Sequence, residues 1–151
     1  MAAGYVAVVG PGESGPAEDE IAEAVGRLLA EEGVILVCGG LGGVMAAACR
    51  GAAQAGGTSL GLLPGQDRTA ANQWVSVAIP TGLGELRNGL VVRASDALIA
   101  IRGGYGTLSE VALALKAGKP VIGLGGWDID GVERAESAQD AVQRVLRPPR
   151  P

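Results

Sequence analysis

The stretch Arg102-Gly103-Gly104-Tyr105-Gly106-Thr107-Leu108-Ser109-Glu110 sets three glycines among an arginine, three hydroxyls and a carboxylate within nine residues. It follows the apolar run 97–101 and precedes a helical pattern with Leu108, Val111, Ala112 and Leu115 on one face. Glycines let a backbone reverse tightly and approach a ligand with no Cβ in the way. A helix N-terminus behind them presents unpaired N–H groups and the positive end of a dipole. The chemistry this suits is anion binding, most often of phosphate. Gly39-Gly40-Leu41-Gly42-Gly43-Val44-Met45 is a second such loop, with more glycines than a plain turn needs; Met45 is expected in the core at its edge. Gly10-Pro11-Gly12-Glu13-Ser14-Gly15 fits the dinucleotide pattern G-x-G-x-x-G. However, Cys38-Gly39-Gly40 stands where an acid should meet the ribose, which disfavours NAD or FAD in the usual mode. Gly10, Gly12 and Ser14 can still offer donors to a ligand.

Two arginines are candidates to balance an anion. Arg87, with Asn88, begins a helix among Leu86, Leu90 and Val91, the setting of a partly enclosed guanidinium. Arg102 follows an apolar strand at its carboxyl end and is expected to look into the cleft. Thr107 and Glu110 also match a T-x-x-E capping box, worth on the order of 1 kcal/mol. That reading gives both residues a structural role, whereas a carboxylate beside an anion site calls for a balancing cation or a task on the substrate.

The composition narrows the chemistry. The chain has no histidine, which removes Ser-His-Asp catalysis and the usual zinc sets, and no metal site is expected. Two cysteines, Cys38 and Cys49, are too few for a disulfide framework and read as buried thiols without chemistry. A formal net charge of −4 disfavours nucleic acid as a partner. No apolar run approaches the ~20 residues of a membrane span. The N-terminus lacks the pattern of a secretion signal, so a cytoplasmic protein is expected.

Apolar residues make up 48% of the 151, but aromatics only 3%, so the core must be Val, Ile, Leu and Ala. Short apolar runs at 5–9, 34–38, 58–63, 74–79, 97–101 and 119–124 read as strands. Helical patterns cover 17–32, 44–55, 84–94, 108–117 and 137–146. This alternation predicts an α/β fold, a Rossmann-like doubly wound parallel sheet of about six strands with helices on both faces. A single domain over 1–151 is expected, with 147–151 a frayed tail. Every glycine loop falls at a strand's carboxyl end, where such sheets bind ligands, so the loops at 39–43 and 103–107 are expected to converge on one rim.

With these motifs in hand, the chain resembles the LOG-like superfamily over residues 5 to about 126. That group includes the LONELY GUY cytokinin-nucleotide phosphoribohydrolases, formerly labelled lysine decarboxylases, and the molybdenum-cofactor carrier proteins. The resemblance rests on Gly103-Gly104-Tyr105-Gly106-Thr107 with Glu110, and on Arg87 eight residues before Ser95-Asp96. Gly39, Gly40, Gly43, Val44 and Met45, then Ala52–Gly57 and Gly61–Pro64, extend it. Arg102 replaces the proline of the phosphoribohydrolase motif and Ser109 the first of its two glutamates, which brings the chain closer to the carrier-like bacterial branch.

The resemblance implies two readings. In the first, the protein binds a phosphorylated nucleotide or pterin, held by Gly39, Gly40, Gly43, Met45, Arg87, Asn88, Arg102, Gly103, Gly104, Tyr105, Gly106 and Thr107. In the second, it cleaves the N-glycosidic bond of a nucleoside 5′-monophosphate such as AMP or a cytokinin nucleotide. Arg87 and Glu110 are then catalytic, with Glu110 stabilising an oxocarbenium-like sugar. Neither reading requires a cofactor; the bound ligand is a nucleotide monophosphate or molybdopterin. A pyridoxal phosphate decarboxylase is excluded, since Lys116 and Lys119 are the only lysines and neither has a Schiff-base setting. The resemblance further implies a homo-oligomer, a dimer or tetramer.

Overall fold

Residues 4–147 are described by a computed structural model; apart from Arg147, the expected frayed tail lies outside them. The strands β1 (Tyr5–Val9), β2 (Ile35–Cys38), β3 (Ser59–Leu63), β4 (Val77–Pro80), β5 (Ala97–Ile101), β6 (Val121–Leu124) and β7 (Glu133–Arg134) form one sheet. Its order is β4-β3-β2-β1-β5-β6-β7 and every pairing is parallel. The chain therefore builds outward from β1 to β4 and returns to lay β5 against the other side of β1. Doubly wound sheets hold their ligands at such a reversal.

Helices α1 (Pro16–Glu31), α2 (Val44–Gln54) and α5 (Ala138–Leu146) cover one face, and α3 (Arg87–Ala94) and α4 (Tyr105–Lys116) the other. The strand alternation divides the core accordingly. Val6, Val8, Leu36 and Ile99 pack with α1, α2 and α5, while Ala7, Val9, Val37 and Leu98 pack with α3 and α4. Both faces are covered, so the central strands are apolar at every position.

Glycine brings α1 and α2 together. A methyl group on Gly26 would lie 1.9 Å from the Ala48 carbonyl oxygen, and one on Gly51 2.0 Å from that of Glu23. The helices cross backbone to backbone, and no side chain fits between them. Gly26→Ala is expected to cost about 2 kcal/mol in urea unfolding, because the crossing must open to admit the methyl group. Gly89→Ala on α3, where nothing stands within 4 Å, is expected to gain about 0.5–1 kcal/mol from helix propensity alone.

The structure departs from the sequence expectation at three elements. The described residues form seven strands, since the polar two-residue β7 pairs with β6 at Ile122 and Gly123 and carries no apolar run. β4 starts at Val77, not Trp74, because the Asn72 side-chain oxygen accepts from the Trp74 N–H at 3.0 Å and turns the chain first. Most consequentially, α4 starts at Tyr105 with Gly104 at its N-cap, three residues ahead of the expected Leu108. Thr107 and Glu110 then lie inside the helix, 4% and 7% exposed, so no capping box forms.

Candidate functional site

Carboxyl ends of β1, β2 and β5 meet around a cleft of about 320 Å³ lined by Val8, Val9, Gly10, Pro11, Gly12, Gly39, Met45, Arg87, Asn88, Gly104, Gly106, Thr107 and Glu110. The glycine loops after β2 and β5 thus share one rim, as expected. Gly10 must lack a Cβ because one would meet the Ile101 carbonyl oxygen and the Val44 side chain at 2.8 Å. Gly39 must lack one because the Arg87 guanidinium lies over it; a Cβ there would stand 2.7 Å from Nη2.

The polar groups come mainly from α3 and α4. Arg87 opens α3 and reaches across to the end of β2. Its Nη1 donates to the Asn88 side-chain oxygen, and Asn88 Nδ2 donates to Ser109 Oγ at 3.3 Å. Arg87 Nε is buried with no hydrogen-bond partner among the described residues. An unsatisfied buried donor costs about 1–3 kcal/mol, so a group that can accept from it has a ready place. On the neighbouring α4, the first helical bond is Leu108 N–H to the Gly104 carbonyl, and no side chain caps the helix. The amides of its first turn are therefore aimed beyond the helix, with the dipole behind them.

Glu110 sits one turn further along α4 and also lines the cleft. Burial pushes its carboxyl up to about 7, although the nearby Arg87 charge pulls the other way. Near neutral pH the group is divided between acid and carboxylate. In the acid form it has a proton to donate to a ligand and adds no charge to oppose an anion.

Several residues expected at the ligand stand elsewhere. Arg102 does not look into the cleft: its backbone adopts φ 50°, and its 62%-exposed side chain lies 3.5 Å from Glu18. Gly103, at φ 137°, packs against Thr107 and leaves the cleft wall to Gly104. Tyr105 is 83% exposed, with its ring 6.3 Å from that of Trp127, over a neighbouring groove. Gly40, at φ 79°, packs on Leu63, and its carbonyl accepts from the Asn72 N–H. Gly43, at φ 62°, abuts Pro11 and Gly12 and fixes one glycine loop against another. The Ser14 hydroxyl donates to Asp19 in an adjoining cavity. Val8, Val9 and Pro11 line the cleft without having been singled out; their position at the end of the first strand was the available signal.

The SLOG cluster4 family profile matches residues 3–149. The chain belongs to the SLOG cluster4 family. An uncharacterized protein of Archaeoglobus fulgidus is 43% identical over 142 residues, 93% of each chain. The molybdenum cofactor binding protein from the phototrophic bacterium Rippkaea orientalis is 40% identical, with a TM-score of 0.89 over 93% of this chain and 94% of its own. The molybdenum cofactor carrier protein from Chlamydomonas reinhardtii is 36% identical, with a TM-score of 0.84 over the same shares. These likenesses span nearly the whole chain, so this SLOG cluster4 protein shares the fold of the solved structures it resembles. Among its described residues no helix is long and apolar enough to cross a membrane, and no group of three or more Cys, Asp or Glu could hold a metal ion.

Proposed function

We propose that this protein is a binding protein for a phosphorylated pterin of the molybdopterin class, acting in the manner of a molybdenum-cofactor carrier within one Rossmann-like domain. One observation supports the reading above the others: Arg87, whose buried Nε has no partner among the described residues, lines the same glycine-floored cleft as the uncapped N-terminus of α4. An anionic phosphate between them would accept from a guanidinium and from helix amides together, each bond charge-assisted. The cleft volume of about 320 Å³ is at the small end of the range for ligand pockets. The residues present therefore fit the group. Gly104, Gly106, Thr107 and Arg87 would hold its phosphate. Asn88, Met45 and the Gly10–Gly12 turn would meet the remainder, and the bound group would supply the molybdenum-coordinating chemistry that the polypeptide lacks. The molybdenum cofactor binding protein of Rippkaea orientalis and the carrier protein of Chlamydomonas reinhardtii support the same reading.

The nucleoside monophosphate phosphoribohydrolase is the weaker reading. It needs Glu110 ionised beside the sugar, yet burial holds much of that carboxyl protonated at neutral pH. Exposed Leu83, Leu86, Leu90 and Leu113 around α3 and α4 offer an apolar surface suited to the homo-oligomer we also propose.

Two measurements on one preparation test the proposal. Protein purified from a host that makes molybdopterin is expected to retain the pterin, read as fluorescence after oxidative release. Incubation with AMP or related nucleotides is expected to liberate no free base. Retention of nucleotide alone would overturn the pterin assignment, and steady base release would reinstate the hydrolase.

A further inference from the structure

Cys38 closes β2 and Cys49 lies midway along α2, both with 0% exposure. Their sulfurs stand 3.5 Å apart, a placement the sequence expectation of two inert core thiols did not contain. The pair lies in the apolar core, with a few polar groups against it. The Gly40 N–H donates to Cys38 Sγ at 3.4 Å. The hydrogen bond from Cys38 holds the Cys49 thiol below its ordinary range, with Ser59 and Asn72 adding to the effect against burial. Cys38, which supplies that bond and is itself buried, is held above the ordinary range. The direction of these shifts makes Cys49 the more readily ionised of the two, with the Cys38 sulfur 3.5 Å away to resolve it.

We propose that Cys38 and Cys49 form a dithiol that a hydroperoxide oxidises to an intrachain disulfide directly beneath the ligand cleft. Cys49, as thiolate, attacks the terminal peroxide oxygen and breaks the O–O bond, becoming a sulfenic acid as the other oxygen leaves as alcohol or water. Cys38 sulfur then attacks the sulfenic sulfur, giving up its proton as the hydroxyl departs as water. Two thiols lose two electrons, the peroxide gains them, and the products are the disulfide with water and alcohol, or two waters from hydrogen peroxide. A disulfide has sulfurs about 2.05 Å apart, so closing the bond draws β2 and α2 together. The next residue after Cys38 is Gly39 in the cleft floor, and Met45 in the cleft wall lies one helical turn before Cys49. The bond would therefore form between the two elements on which that side of the site is built.

The chain contains only these two cysteines, so the product is unambiguous. Folded, fully reduced protein is treated with hydrogen peroxide, then unfolded in acid, alkylated and weighed intact. The expected result is the loss of two hydrogens, no alkylation, migration as a single chain on a non-reducing gel, and recovery of both thiols with dithiothreitol. Cys38→Ala and Cys38→Ser are both expected to block the bond and leave Cys49 to gain oxygen. The proposal is overturned if both thiols of the folded wild type stay alkylatable, if the bond joins two chains, or if it appears only after unfolding. None of these readouts depends on which ligand the cleft holds.

Discussion

Arg87→Ala is expected to weaken molybdopterin binding roughly 100-fold while leaving the protein folded. A hydrogen bond to a charged group is worth about 1.5–3 kcal/mol, and the guanidinium can offer more than one to a phosphate. In the free protein the same side chain leaves Nε unsatisfied, so truncation removes a buried donor that the fold does not use. Binding and stability should therefore separate, with the urea midpoint nearly unchanged while affinity falls. Arg87→Lys restores a charge but not the planar fork, and is expected to recover only part of the loss. Arg102→Ala is the informative comparison. Arg102 pairs with Glu18 outside the cleft, and its loss is expected to alter affinity by less than about 3-fold, as for an exposed ion pair. Equal losses at the two arginines, measured by fluorescence titration, would show that the cleft is not where the ligand sits.

The contrast between the two arginines also shows what the sequence could convey. Alternating apolar runs and helical patterns identified six of the seven strands and all five α-helices of the described residues, because buried parallel strands and amphipathic helices each leave a period in the chain. The two-residue β7 leaves none, since its pairing is set by the neighbouring β6 and not by its own side chains. Glycine loops at strand ends were equally legible, and Gly39 and Gly104 do meet across one cleft. What did not follow was direction. Arg102 sits at the right end of the right strand, yet a backbone at φ 50° turns its side chain toward Glu18. Similarly, T-x-x-E reads as a cap only if the helix begins at the threonine. Gly104 starts the helix earlier and carries Thr107 and Glu110 inside it. The Cys38–Cys49 pair depends on how α2 packs against β2, which no local pattern encodes.

Moving Glu110 from cap to cleft wall changes what its substitution should do. A capping-box residue would lose little on conversion to glutamine, and that little would not depend on pH. The buried carboxyl titrates at about 7 in the folded protein against an ordinary value of 4.5. Below 4.5 the group is neutral in both folded and unfolded chains and exacts no penalty. Between 4.5 and 7 the unfolded chain releases the proton while the folded one keeps it, so stability falls as pH rises, and above 7 the loss is complete. Glutamine occupies the same space without the titration. Glu110→Gln is therefore expected to be more stable than wild type by about 3 kcal/mol at pH 8, and to match it near pH 4. Ligand affinity should follow the same sign. Raising the pH through 7 places a carboxylate beside the bound anion in wild type but not in the variant, so the ratio of their affinities should move toward the variant, and comparing the two cancels the ligand's own titration. Parallel urea titrations and binding curves from pH 4 to 8 check both. Equal stability at pH 8 would mean that Glu110 ionises there as freely as a surface acid, and that the cleft wall is more open to water than its burial indicates.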